Sequence, residues 1–238
     1  MIPLFDNIPT RRFAYVTYAL IAVNVAVFFY TWRMGGTQAA DFILRWGYVP
    51  GDVAGVLTGN RFAPQELVTL VTSIFLHGGL VHLAGNLLYL HIFGNNVEDS
   101  MGHGRFLGFY LLVGVAANLG QIVVSPDSTV PGVGASGAIA GILGAYFLLF
   151  PRAGVVTLVP VLFIPIFITV PAVVILGFWF VIQLFQGSVT IAAGTAGSGG
   201  VAFVVHATGF VLGMILMPFF RNRELMRGKP TWMDRVLG

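Results

Sequence analysis

The 238 residues contain no cysteine, so disulfides, thiolate metal sites and a cysteine nucleophile are all excluded. Charge is scarce: Asp, Glu, Lys and Arg make up 9% of the chain, against about 25% in soluble globular proteins. Hydrophobic residues supply 57%, and the mean hydropathy is +0.88. This is the composition of a polytopic membrane protein, not of a soluble domain. A pI near 9.5 is compatible with nucleic-acid binding. The basic residues, however, cluster at the ends of apolar runs, which fits membrane topology and argues against a nucleic-acid partner. Internal repeats are lacking, which argues against a transporter built from inverted halves. Soluble domains are lacking as well, so residues 1–238 read as a single polytopic membrane domain.

What the sequence does have is a series of long uncharged runs. Six spans are expected, at 13–32, 67–97, 106–124, 136–150, 171–186 and 201–220. The first follows Arg11-Arg12 and has no small-residue cleavage site after it, so it reads as a retained span. The fourth, at 15 residues, reaches only about 22 Å and starts inside a core of about 30 Å. Such a start needs protein or a cavity around it. Residues 154–169, broken by Pro160 and Pro165, read as interfacial or re-entrant, and the glycine-rich 187–200 as a mobile loop. With six spans, nine of the 12 Lys and Arg residues fall on the side of both termini, and the loop at 33–65 holds the other three. The positive-inside rule then places both termini in the cytoplasm. Compactness and the lack of targeting sequences point to a bacterial inner membrane.

The chain is organised around Gly132–Gly141, where Ser136 stands among glycines as a polar loop turns into an apolar helix. A helix N-terminus carries unpaired N–H groups and partial positive charge, so a hydroxyl there has anion stabilisation beside it. Ser136 lies 16 residues before Arg152, His82 lies 16 before Glu98, and His206 lies 15 before Arg221. At 1.5 Å per residue all three sit about 22–24 Å above the cytoplasmic boundary, on helices running the same way. Costly polar groups at one depth mark a functional site. Small residues support convergence: Gly134, Gly137 and Gly141 beside Ser136, and Gly209 and Gly213 on the face of His206, allow close helix approach. His82 and Asn86 share a helix face and are placed to donate to an oxyanion together with the Ser136 N–H. His77, His82, His91 and His103 do not form a convincing metal site, since His91 falls opposite His82, so neither metal nor cofactor is expected. Glu98 and Asp99 read as solvated, or as caps for the loop near Arg105.

Three motifs together, His82-Leu-Ala-Gly-Asn86, Gly134-Ala-Ser136-Gly137 and His206-Ala-Thr-Gly209 with Gly213, resemble the rhomboid family of intramembrane serine proteases. The resemblance covers roughly residues 65–215. It implies an all-α bundle of six transmembrane helices with an active site recessed below the outer membrane surface. It also implies Ser136 as nucleophile, His206 as general base, and an oxyanion hole of His82, Asn86 and the Ser136 N–H. No carboxylate completes the dyad, and the substrates would be transmembrane helices cut near their outer end. Two positions depart from the family pattern. Some members carry an aromatic four residues after the serine where this chain has Ala140, so the base must be oriented from elsewhere, glycine packing being one source. Some also carry an arginine before the second span, where Thr69 is nearest. The fifth span, with Phe178, Trp179, Phe180 and Phe185, is the expected side of substrate entry, and 187–200 the expected lid. The alternative is a catalytically inactive rhomboid-like adaptor that binds transmembrane segments. Oligomeric state is not legible.

Overall fold

The computed structural model describes residues 1–161, 164–192 and 201–226. In chain order it holds β1 (Ile2–Asp6), α1 (Tyr15–Met34), α2 (Gly36–Trp46), α3 (Pro50–Leu57) and α4 (Glu66–Thr72) with a 3-10 turn at Ser73–Phe75. Next come α5 (Leu80–Tyr89), a π turn (Leu90–Gly94), α6 (Asn95–Met101), α7 (His103–Val124) and α8 (Ser136–Leu149). The chain continues with β2 (Gly154–Val161), β3 (Ile164–Pro171), α9 (Ala172–Ala192), α10 (Val201–Phe220) and α11 (Arg223–Met226). Among the described residues, four helices are long and apolar enough to cross a membrane: α1, α7, α9 and α10. The architecture is mostly helical, as expected of a polytopic membrane protein.

The expected second span at 67–97 is not one straight helix. The chain bends by 79° between Glu66–Phe75 and Leu80–Met101. Leu76 is extended, and Gly78-Gly79 follows, two residues that each cost a helix interior about 1 kcal/mol relative to alanine. Past this break, α5, the π turn and α6 run on as one rod, and His77 is buried in the break itself.

The centre of the bundle is α8. Eleven of its 14 residues are buried, although it is only about 21 Å long. Glycines admit its neighbours. A Cβ at Gly137 would lie 2.7 Å from Val205 Cγ1 and 2.9 Å from Ala117 Cβ, so α10 and α7 close on this one face. A Cβ at Gly213 would lie 2.6 Å from the Gly141 Cα, so here backbone meets backbone. Close approach of this kind lets dispersion and packing hold helices together where lipid supplies no hydrophobic driving force.

At the end of the bundle bearing Arg12, Arg152 and Arg221, the described residues of the expected interfacial or re-entrant segment 154–169 are extended. They form an antiparallel hairpin, Gly154 opposite Pro171 and Pro160 opposite Pro165, and β1 pairs with β2 on the other side in the order β1-β2-β3. Three prolines exclude a helix here, while the Val, Ile, Thr and Phe between them suit a strand. The edge strand β3 is uncharged, and Ile164 and Phe167 are largely exposed.

Glu98 and Asp99 are buried, not solvated. Helix α1 starts after Ala14 with no side-chain cap of its own. Glu98, 81 residues further on, supplies it by accepting from the backbone N–H groups of Val16 and Thr17. Asp99 accepts from the Arg11 N–H at 2.9 Å and from Arg12 Nε at 3.2 Å. Residues 187–192 belong to α9, extending it beyond the expected 186 and replacing the first part of the expected loop. The remainder of that expected lid, 193–200, lies outside the described residues.

Candidate active site

Ser136 opens α8, and the preceding loop is fixed before it arrives there. Tyr48 and Gly132 exchange two backbone hydrogen bonds, at 3.2 and 2.7 Å, and the Gly134 N–H donates to Ser73 O at 2.9 Å. The Tyr48 ring packs so closely over Gly132 that any side chain at 132 would overlap it. Gly134 has φ +131°, a region open to glycine. A Cβ at Gly134 would lie 2.9 Å from His82 Nε2 and 3.7 Å from Ser136 Oγ. The His82 imidazole and the serine hydroxyl therefore flank one bare stretch of backbone.

Around them is a cavity of about 590 Å³. Its wall includes Ser136 and Ala140 of α8, His82 and Asn86 of α5, and Trp179 and His206 of α9 and α10. Ser136, His82 and His206, which the sequence places at one depth, thus line one cavity, with Asn86 one turn further along α5. His82 is exposed to it, and Asn86 is buried, with its Nδ2 lacking any hydrogen-bond partner among the described residues. Asn118, also on the wall, is already engaged, its Nδ2 donating to Leu70 O at 3.0 Å and to Ser73 Oγ at 3.2 Å.

Sequence reasoning singled out neither Gln183 nor the contact that Trp179 makes. Gln183 Oε1 lies 2.8 Å from His206 Nδ1, and Trp179 lies over the same imidazole with ring centroids 5.7 Å apart. The His206 ring is thus held from α9, beside Ala140, which offers only a methyl group. The available signal was a polar side chain in a run from 153 to 220 that contains no charge. Among the described residues no hydrogen bond links Ser136 Oγ to His206. Such bonds are often long in the absence of substrate and tighten when it binds.

Residues 64–223 match the family model described as the Rhomboid domain. The chain belongs to the rhomboid family. It is 37% identical over 129 residues to Rhomboid protease GluP of Bacillus subtilis, covering 54% of this chain and 23% of that protein. Rhomboid protein 1, mitochondrial, of Saccharomyces cerevisiae is 27% identical over 167 residues, 66% of this chain and 44% of that protein. The relatives also include Inactive rhomboid protein 1 of Drosophila melanogaster, 33% identical over 82 residues, 34% of this chain and 6% of that protein. The chain thus spans less than half the length of each of these three relatives. The rhomboid family contains both proteases and inactive members, and the chemistry of this chain has to be argued from its own site.

Proposed function

We propose that this rhomboid protein is a serine endopeptidase that cuts transmembrane helices within the membrane, near their outer end. The observation that carries the reading is the shared cavity of Ser136, His206, His82 and Asn86, with Ser136 at a helix N-terminus. Ser136 Oγ attacks the scissile carbonyl carbon while His206 takes its proton through Nε2. The resulting oxyanion is met by the Ser136 N–H, the His82 ring and the unpartnered Asn86 amide, aided by the positive end of the α8 dipole. His206 then passes the proton to the leaving amine, and a water activated by the same ring hydrolyses the acyl-enzyme.

Several features support a membrane-protein substrate over a soluble one. The cavity is lined mainly by apolar side chains, and Phe178, Val181 and Phe185 on α9 are exposed. In this reading six helices cross the membrane, with α8 and the bent second segment counted among them. The termini face the cytoplasm, and the membrane is a bacterial inner membrane.

The second reading, an adaptor that binds transmembrane segments without cutting them, is favoured by the match to a fly relative named inactive. Fold alone does not choose between the two. The test is cleavage of a single-span reporter by detergent-purified protein, joined to labelling by a serine-directed phosphonate. The endopeptidase reading expects wild type to cut and to be labelled at Ser136, and Ser136→Ala and His206→Ala to do neither while remaining folded. Wild type that neither cuts nor reacts overturns it in favour of the adaptor.

A further inference from the structure

We infer that Gln183 is a positioning residue for His206: its amide oxygen holds the imidazole in the Nδ1–H tautomer and turns Nε2 towards Ser136. The inference rests on the endopeptidase reading. A histidine base has to present a lone pair to the nucleophile and then pass through a charged imidazolium. In the serine protease triad a buried carboxylate secures both by accepting from the other ring nitrogen. Here no Asp or Glu lies between Arg152 and Arg221. The buried carboxylates Glu98 and Asp99 are committed to α1 and to Arg11 and Arg12 at the far end of the bundle.

What faces Nδ1 is Gln183 Oε1, at 2.8 Å, on a side chain that is itself 7% exposed. An amide oxygen is an acceptor only, so its partner nitrogen carries the proton and the opposite nitrogen is left as the acceptor. It also carries no charge, which matters at this depth, where an ionised carboxylate costs several kcal/mol to bury. A neutral amide plays the same orienting part in the cysteine proteases that use Cys-His-Asn.

A second contact from the same helix fixes the ring plane. Trp179 is four residues before Gln183, on the same face of α9, and its ring is tilted 38° to the imidazole. One face of one helix therefore sets both the tautomer and the orientation of the base. The contact missing at Ala140 on α8 is supplied across the cavity from α9.

The test compares wild type, Gln183→Leu and Gln183→Glu in reporter cleavage across pH, with phosphonate labelling of Ser136 and thermal unfolding as companions. The other titratable groups lining the cavity, His82, Tyr48 and Tyr89, are unchanged in both variants. Gln183→Leu removes the acceptor; kcat should fall about tenfold, the worth of one hydrogen bond, with KM little changed. Gln183→Glu keeps an acceptor, and its carboxyl, which ionises at this depth only as the partner of the imidazolium, favours that charged ring. It should retain more activity than the leucine variant, with the acid limb of kcat/KM moved to higher pH. If both variants keep the wild-type rate and acid limb while Ser136→Ala is dead, the inference fails and the endopeptidase reading stands. Equal loss in both folded variants with an unmoved acid limb would also overturn it, because that is what lost packing alone produces. If wild type itself neither cuts nor labels, it is the endopeptidase reading that has failed.

Discussion

Glu98 Oε2 lies 2.7 Å from both the backbone nitrogen and the hydroxyl of Thr17, closing the N-terminus of α1 from 81 residues away. Its other oxygen accepts from Val16 N at 3.0 Å and lies 2.6 Å from His103 Nδ1. One buried carboxylate thus ties α1, α6 and the start of α7 together. A carboxylate at a helix N-terminus is favoured both by the orphan N–H groups and by the dipole.

Replacing Glu98 by alanine should cost about 2–4 kcal/mol, since two backbone donors and a hydroxyl lose their acceptor inside the protein. Glu98→Gln keeps one acceptor oxygen and should lose roughly half as much. Thermal unfolding in detergent would show both. Equal midpoints for Glu98→Ala and wild type would mean that α1 is capped by water instead.

The glycine seam gives a prediction with an internal control. At Gly213 a methyl group meets the backbone of α8, and neither side can yield as a flexible side chain would. Gly213→Ala should therefore separate α10 from α8, cost about 1–3 kcal/mol, and lower activity by moving His206 away from Ser136. Gly104 is also helical, but it is exposed and has nothing within 4 Å of a built Cβ. Gly104→Ala should be neutral or stabilise by up to about 1 kcal/mol. Comparison of the two midpoints, with reporter cleavage alongside, separates seam packing from a general effect of glycine replacement.

Much of this was legible in the sequence because membrane helices announce themselves by length and charge. The runs at 13–32, 106–124 and 201–220 fall within a few residues of α1, α7 and α10. Counting along a helix converts residue number into height. It brings Ser136, His82 and His206 to one level before any packing is known. The bend at residues 76–79 was less legible: hydropathy does not register a break made by Gly78-Gly79 when the residues around it stay apolar. Length was the available sign, since 31 residues as one helix would reach about 46 Å, well beyond the bilayer core. The hairpin at 154–171 was obscured similarly, because its Val, Ile and Phe score as a membrane span while its prolines forbid one. The reach of Glu98 back to α1, and of Gln183 across to His206, depends on tertiary packing that no local pattern encodes.

Asn86 supplies a test of the oxyanion hole that is separate from the dyad. Its Nδ2 is buried and without a partner among the described residues, a costly arrangement unless substrate completes it. Asn86→Ala should leave stability close to wild type or slightly raised, and lower kcat by about 10²–10³. His82→Ala should lower kcat by a similar factor. The informative measurement is the double variant. Two donors to one oxyanion should combine with a total loss that departs from the product of the single losses. If the losses multiply without coupling, the two side chains act at different places.

The N-terminal strand offers a way to separate the two ends of α8. Asp6 Oδ2 accepts from the Tyr146 hydroxyl at 2.6 Å and from Asn96 Nδ2 at 2.8 Å, fastening β1 to the end of α8 remote from Ser136. Asp6→Ala leaves those two donors short of an acceptor and should cost about 1–3 kcal/mol. The loss should be local first, because β1 is a short strand at a sheet edge and local openings draw on the least stable elements. Amide exchange should therefore speed up in residues 2–6 and along the β2 partners Val155 to Leu158, while phosphonate labelling of Ser136 keeps its wild-type rate. Ten residues separate Tyr146 from Ser136 along a buried helix, some 15 Å, so a strand that comes loose at one end need not move the serine at the other. If labelling slows in step with the exchange, the bundle transmits strain along α8, and β1 contributes to the geometry of the site as well as to the stability of the fold.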